Sequence, residues 1–302
     1  MTVVRVEGRS ITVAHPDKVL FADVGLTKGD LIDFYRAAAS RLLAQLRDRP
    51  LVLHRYPDGT SAEGFIQHDV DASPPPWVTR VVVGKKGGTV THVVANDEAT
   101  LVYLATLDCV ELHPWLATRD DLAHPDRMVL DLDPSEGTSL DVLRATARAL
   151  RDALTSLGLT PFLMTTGSRG YHVVVPLARR QTFDEVRAVA RAVASLVAAE
   201  APDERTVELA RSRRGGRLFL DYLRNGYAQT SVAPYSLRAR PGAPMATPLD
   251  WSELGVTTPT TWTWSRSGER LGAPDPWARM SAASADLAGA QRLVARATPP
   301  SP

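Results

Sequence analysis

Apolar residues recur along this chain with two periods, and the switches between them mark its elements. Residues 2–13 alternate around Gly8 (Val4, Val6, Ile11, Val13) and predict a small hairpin. Thr27, with Asp30 three residues on, suits a helix start, and Leu31, Phe34, Tyr35, Ala38, Leu42 and Leu46 follow at helical spacing. That spacing predicts an amphipathic helix over 28–47, ended by Pro50. Leu51–Tyr56 reads as a strand, Pro57–Gly59 as a turn and Gly64–Gln67 as the return strand. Ser73–Trp77 is a stiff linker, and Arg80–Val83 with Thr89–Val94 form a hairpin with a basic tip at Lys85-Lys86. Asp97 caps a helix to about Val110, and a loop with His113, Pro114 and Trp115 follows.

The second half is more regular. Met128–Asp133 is a short apolar strand stopped by Pro134, which cannot donate to a ladder. Ser139 or Thr138 caps a helix with Leu140, Leu143, Ala147, Leu150 and Leu154 on one face, closed by Gly158. Pro161–Thr165 and Tyr171–Leu177 are strands around the tight turn Thr166–Gly170. Thr182 caps a helix to about Ala199, Glu204–Arg217 is dense in arginine, and Leu218–Leu223 is a strand. The order strand–helix–strand–strand–helix–strand over 128–223 is a split βαβ pattern. Residues 225–250 read as irregular, Thr260–Trp264 as a strand, 281–296 as an Ala-rich helix, and the closing TPPSP as disordered. No internal repeat is present.

Composition adds limits. The chain has 302 residues, enough for one large domain or two modest ones. A net charge of +1 gives no bulk basic footprint, so any nucleic-acid surface must be a local patch. The single Cys109 lies in the apolar run 104–112, which suits a buried thiol, and no internal disulfide can form. The N-terminus has no apolar leader and no stretch reaches transmembrane length, so a cytoplasmic, bacterial-type protein without membrane contact is expected.

Three signals then converge. Asp131 and Asp133, two apart on a strand, share a face and repel unless a cation lies between them, and a divalent metal ion is one answer. A turn-capping pair is the plainer reading. Asp221, between Leu220 and Tyr222 on the last strand, could supply a third carboxylate, or be a strand-edge ion-pair partner. The turn Gly167-Ser168-Arg169-Gly170, followed by Tyr171 and His172, offers backbone amides, a hydroxyl and cationic groups for phosphate oxygens, though it also fits an ordinary hairpin.

Several unconnected motifs, in order over about residues 10–265, resemble the polymerase domain of bacterial LigD, of the archaeo-eukaryotic primase superfamily: PDKVLF, RYPDG, DLDP at 131–134, TTGSRGYHVVVPL at 165–177, LFLDYLRN at 218–225, QTSVAPYSLRARPGAP to 244 and TPLDWSEL at 247–254. The resemblance implies an α+β primase-polymerase fold. Its catalytic sheet is of the RNA-recognition type (split βαβ), at about 121–265, packed with an N-terminal αβ layer at about 1–120. The polymerase domain would then span 1–268, with a partly helical or disordered tail over 269–302. It implies Asp131, Asp133 and Asp221 as metal-binding catalytic carboxylates, with manganese ahead of magnesium. It also implies Ser168, Arg169, His172, Arg238, Gln229, Arg55 and His113 around the nucleotide, Lys18 and Lys28 on a DNA 5′-phosphate, and Phe65 as a stacking platform.

Departures accompany the likeness. Arg169 stands where relatives usually carry Lys, which turns a point donor into a fork. Ile66 removes one of two usual aromatics, and His54 stands at a position that can be Lys in a relative. The implied activity is a metal-dependent nucleotidyltransferase that adds nucleotides, ribonucleotides preferred over deoxyribonucleotides, to 3′-OH ends at DNA gaps and double-strand breaks in non-homologous end joining. Ku and an ATP-dependent DNA ligase would be its partners, and the nucleoid its place when bound to DNA. The alternatives are a DNA-end-binding module without catalysis, a primase acting de novo (for which one Cys cannot build a Cys-rich zinc module), and a sugar-nucleotide transferase of the DxD type, which the nucleic-acid-like motifs disfavour.

Overall fold

The computed structural model describes residues 1–70 and 73–297, with backbone alone for 293–297; the TPPSP tail falls outside the described residues. The chain divides into two compact units. The first comprises 1–120, 230–247 and 260–274, and the second 121–229, 248–259 and the stretch from 275 onward.

The first unit begins with the expected hairpin, β1 (Thr2–Val6) against β2 (Arg9–Val13). A second, short pair follows, β3 (Val19–Phe21) with β4 (Leu26–Thr27). Helix α1 (Lys28–Leu46) starts on a full capping box: Thr27 accepts from the Asp30 N–H while Asp30 accepts from the Thr27 N–H. Its buried face is the predicted stripe, Leu31, Phe34, Tyr35, Ala38, Leu42 and Leu46. A five-stranded sheet is built from β5 (Leu51–Arg55), β6 (Phe65–Gln67), β7 (Arg80–Lys85), β8 (Gly88–Val93) and, after helix α2 (Glu98–Thr106), β9 (Cys109–Pro114). Its order is β6-β5-β8-β7, and β9 also pairs with β5.

The expected helix to about Val110 is corrected here. Helix α2 stops at Thr106 because Asp108 adopts φ +59°, which breaks the helical run, and Cys109–Pro114 then runs antiparallel to β5. Both the helix end and the strand are largely buried, so Leu104–Leu112 is rich in apolar residues across the junction and period alone could not separate the two elements. Cys109 is indeed a buried thiol, and burial pushes its pKa up to about 12. Residues 260–264 do not form a strand; Thr263 makes a single bridge to Pro244, and a short helical turn follows at Trp264–Arg266.

The second unit is a six-stranded sheet with two long helices. Its elements are β10 (Arg127–Asp133), α3 (Leu140–Ser156), β11 (Phe162–Thr165), β12 (Tyr171–Pro176), α4 (Phe183–Ala199), β13 (Arg205–Thr206), β14 (Leu218–Asp221) and β15 (Pro248–Leu249). The strand order β13-β14-β10-β12-β11-β15 puts the first and last strands of the split βαβ pattern side by side, as the α+β reading requires. Ser139 and Thr182 are the caps of α3 and α4. Met128, Leu130 and Leu132 of β10 are fully buried, whereas Asp131 and Asp133 are half-buried, so the helices take the apolar face and the acids point from the other. Residues 277–290 are folded onto this unit: Trp277 is buried with its Nε1 donating to Leu163 O at 3.0 Å, and Leu287 and Ala290 are buried at the head of a helix over Ala288–Ala297. The Ala-rich helix expected over 281–296 is thus shorter at its start. Among the described residues no helix is long and apolar enough to cross a membrane.

The turn between β11 and β12 is locked by close approach. A Cβ on Gly170 would stand 1.9 Å from Leu132 O, a backbone atom that cannot give way without moving β10. Gly170→Ala should therefore destabilise the protein by about 3 kcal/mol, an overpacking penalty set against main chain. Chemical denaturation checks this, and an unchanged midpoint would refute it.

Candidate functional site

In the second unit the three expected acids come together through strand register. Asp131 of β10 is the direct antiparallel partner of both His172 on β12 and Asp221 on β14. Direct partners share a face, so these three side chains form one row across three strands, and Asp133 lies two residues along on the same face.

Cations surround the row. The His172 Nε2 is 3.5 Å from Asp131 Oδ1, and Arg224 Nε is 3.4 Å from Asp131 Oδ2 and 3.5 Å from Asp221 Oδ2. Asp133 pairs with Arg169 at 3.0 Å and with Arg214 at 3.5 Å, and the Arg214 guanidinium also lies 3.7 Å over the Phe219 ring. Asp221 Oδ1 accepts the Leu223 N–H at 2.7 Å.

These surroundings push the carboxyls apart. Burial works to raise Asp131, yet the charge and hydrogen bond of His172, with Arg224 behind them, hold it below its ordinary value. Burial raises Asp221; the Leu223 N–H and Arg224 oppose this, while the Asp131 and Asp133 charges push it further up. Oxygen donors on one half-buried face are the set a hard divalent cation takes.

The turn beside the row is built by Thr166. Its N–H and hydroxyl both donate to Gly170 O at 3.0 Å, and its hydroxyl oxygen accepts from the Ser168 and Gly170 N–H groups at 3.3 Å. Gly167, at φ +62°, makes the sharp bend. Ser168 is half-buried and Arg169 exposed. Gln229 is exposed, and its N–H closes a turn onto Gly226 O at 3.1 Å.

The remaining expected residues belong to the first unit, and two carboxylates missed in the sequence organise them. Glu111, on β9, is almost fully buried. Its Oε2 lies 2.9 Å from His113 Nε2, 3.0 Å from Arg238 Nε and 3.5 Å from His54 Nδ1, while its Oε1 accepts the Ala239 N–H at 2.8 Å. His54 and His113 stack with ring centroids 4.0 Å apart. Burial would raise Glu111, but the His113 hydrogen bond and the Arg238 charge bring it down to about 2. Burial, then the His113 charge, brings His54 down to about 4.

His54, Glu111 and His113 are also the group of side chains, among the described residues, whose ligand atoms lie within 4.8 Å of one another and could hold a metal ion. Two imidazoles and a carboxylate suit a transition metal or zinc. An ion there would have to displace Arg238 from Glu111 Oε2.

Asp108 is the second carboxylate. It pairs with Lys18 at 2.8 Å and Lys28 at 3.0 Å. Arg55 donates to Leu107 O at 2.8 Å and Gln67 Oε1 at 2.9 Å and lies 5.1 Å over Phe65, which is exposed, as is Ile66. Glu111 had a signal in the sequence: Glu111 and His113 alternate on a strand, a pattern hidden once 109–114 was read as helix end and loop.

Comparison with known proteins gives a consistent result. The family model for the LigD primase-polymerase domain matches residues 27–277. The multifunctional non-homologous end joining protein LigD of Mycolicibacterium smegmatis is 33% identical over 246 residues, 81% of this chain and 32% of that protein. Its counterpart from Pseudomonas aeruginosa is 32% identical over 292 residues, 95% of this chain and 34% of that protein. The chain spans about a third of the length of these relatives. The polymerase domain of Mycobacterium tuberculosis ligase D, solved in complex with DNA, superposes with a TM-score of 0.84 at 30% identity, covering 91% of this chain and 99% of that one.

A pH signature follows from the Glu111 cluster. His54 folds with a pKa of about 4 against about 6.5 unfolded, so the unfolded state binds more protons between those values and stability falls as pH drops through that window. Glu111 acts lower down, its stabilisation being present above about 4.3 and lost as pH falls toward its folded value. At pH 5 the His54 contribution amounts to a loss of about 2 kcal/mol relative to neutral pH. His54→Gln should therefore flatten the fall in Tm between pH 7 and 5; an unchanged slope would remove His54 from this account.

Proposed function

This chain belongs to the LigD primase-polymerase family, and on that premise we propose that it is a metal-dependent nucleotidyltransferase that extends 3′-OH ends at DNA gaps and breaks in non-homologous end joining. The observation that carries the reading is the row His172–Asp131–Asp221 with Asp133 beside it, next to the Thr166–Gly170 turn. Asp131, Asp133 and Asp221 would hold the divalent metal, which when bound polarises the phosphoryl oxygens and neutralises charge in an in-line displacement. The donor chemistry fits: three carboxylates share one face of the sheet, and a guanidinium bridges two of them.

The protein's own residues would do the rest. Arg169 and the Ser168 hydroxyl grip the phosphates of the incoming nucleotide, and His172 adds a donor. Arg238 and His113, held by Glu111, contribute fixed cationic and polar groups, with Gln229 and Arg55 as further contacts. Phe65 offers its exposed face to a base, worth about 1–3 kcal/mol in comparable sites. Lys18 and Lys28 receive the 5′-phosphate across a gap. Manganese, a preference for ribonucleotides, and Ku and a ligase as partners complete the proposal, and the family likeness is what suggests them.

Primer extension on gapped DNA, with manganese or magnesium and with NTPs or dNTPs, tests the reading. Extension should appear with wild type and vanish with Asp131→Ala; equal background from both would sink the enzyme. Asp221→Ala should cut extension by about a hundredfold or more while DNA binding stays largely intact. Lost DNA binding in a folded Asp221→Ala protein would contradict its role.

A further inference from the structure

Lys18 and Lys28 do not wait as two bare ammonium groups. Each carboxylate oxygen of Asp108 faces one of them, Oδ2 to Lys18 at 2.8 Å and Oδ1 to Lys28 at 3.0 Å. That is the bridging arrangement a phosphate would adopt with two of its oxygens. Asp108 and Lys28 are buried, so this pairing is shielded from solvent in a way that surface ion pairs are not.

The lysines are also anchored without Asp108. Lys18 donates to Pro57 O, in the turn after β5, and Lys28 donates to Thr106 O at 3.1 Å, at the end of α2. Two backbone carbonyls therefore fix where the ammonium groups stand. The backbone of Asp108 is set separately: φ +59° and its N–H donating to Ala105 O place the carboxylate between them.

We propose that Asp108 is an internal anion occupying the Lys18–Lys28 pocket and that it tempers the pocket's affinity for a terminal phosphate monoester. This rests on the reading of the two lysines as a 5′-phosphate site. With Asp108 in place the three side chains sum to +1, and without it to +2. A terminal monoester carries up to two negative charges at neutral pH, one more than a phosphodiester or a carboxylate. It can displace or outbid Asp108, at an affinity lowered by that competition. A tempered grip favours release of the end, which a later phosphodiester-forming step must consume.

Binding to gapped duplexes carrying either a 5′-phosphate or a 5′-hydroxyl at the downstream edge tests this. Asp108→Asn keeps the shape and tolerates positive φ, and Asp108→Gly is a second variant suited to the same backbone. Both should bind the 5′-phosphorylated gap about five- to tenfold more tightly than wild type, with the 5′-hydroxyl gap much less affected. The gain should disappear when Lys18→Ala and Lys28→Ala are added, and should shrink at high salt. An unchanged or smaller preference for 5′-phosphate in folded Asp108→Asn and Asp108→Gly, in a protein whose preference is erased by the lysine substitutions alone, would overturn the role of Asp108 while leaving the phosphate site standing. A preference untouched by the lysine substitutions would overturn the site itself, and this inference with it.

Discussion

Two like charges face each other across an antiparallel strand pair, and much of the second unit answers to that fact. Asp131 and Asp221 are direct partners on β10 and β14, an arrangement that destabilises a sheet unless cations compensate it. Arg224 bridges the two, His172 flanks Asp131 on the other side, and Arg169 and Arg214 hold Asp133. The opposed shifts of Asp131 and Asp221 have different causes: His172 and Arg224 hold Asp131 down against its burial, whereas burial raises Asp221 and the neighbouring carboxylates push it further up. The centre of the sheet therefore carries its acids only with these basic side chains as partners.

The same constraint reaches the backbone. For Asp131 to sit between His172 and Asp221, β12 and β14 must both flank β10, and the turn leading into β12 must pass close to Leu132 O. Only a glycine at 170 allows that approach. Ser168 and Arg169 are thereby carried beside the acids by a turn whose shape Thr166 fixes through hydrogen bonds to both ends. The position of the polar groups is thus a consequence of strand pairing and close packing.

Much of this was legible in the sequence because the second unit obeys simple periodicities. Alternation put Asp131 and Asp133 on one face, the capping residues Ser139 and Thr182 marked the helices, and the split βαβ order brought Asp221 near. The short strand β15 was not legible, since two residues pairing with β11 leave no periodic trace. Arg214 and Arg224 were hidden among other arginines, and only the fold shows which of them meet the acids. In the first unit the reading of 109–114 failed where a buried helix end runs into a buried strand. Glu111 went with it, because a buried acid shows its partners only once the strand register is known.

That failure matters because the α2–β9 segment holds both cationic clusters of the first unit. Asp108 closes the helix and pairs with Lys18 and Lys28; Glu111, three residues on, pairs with Arg238 and hydrogen-bonds His113. Burying a lone charge is costly, so each carboxylate offsets the burial of the basic groups beside it. The second unit gathers anions and recruits cations; the first gathers cations and recruits anions. Since Asp108 and Glu111 share one short stretch, the pairing of β9 with β5 fixes the spacing of the two clusters within that unit. A shift of β9 by one residue would turn Glu111 to the opposite face of the sheet and leave Arg238 and His113 without the group that holds them.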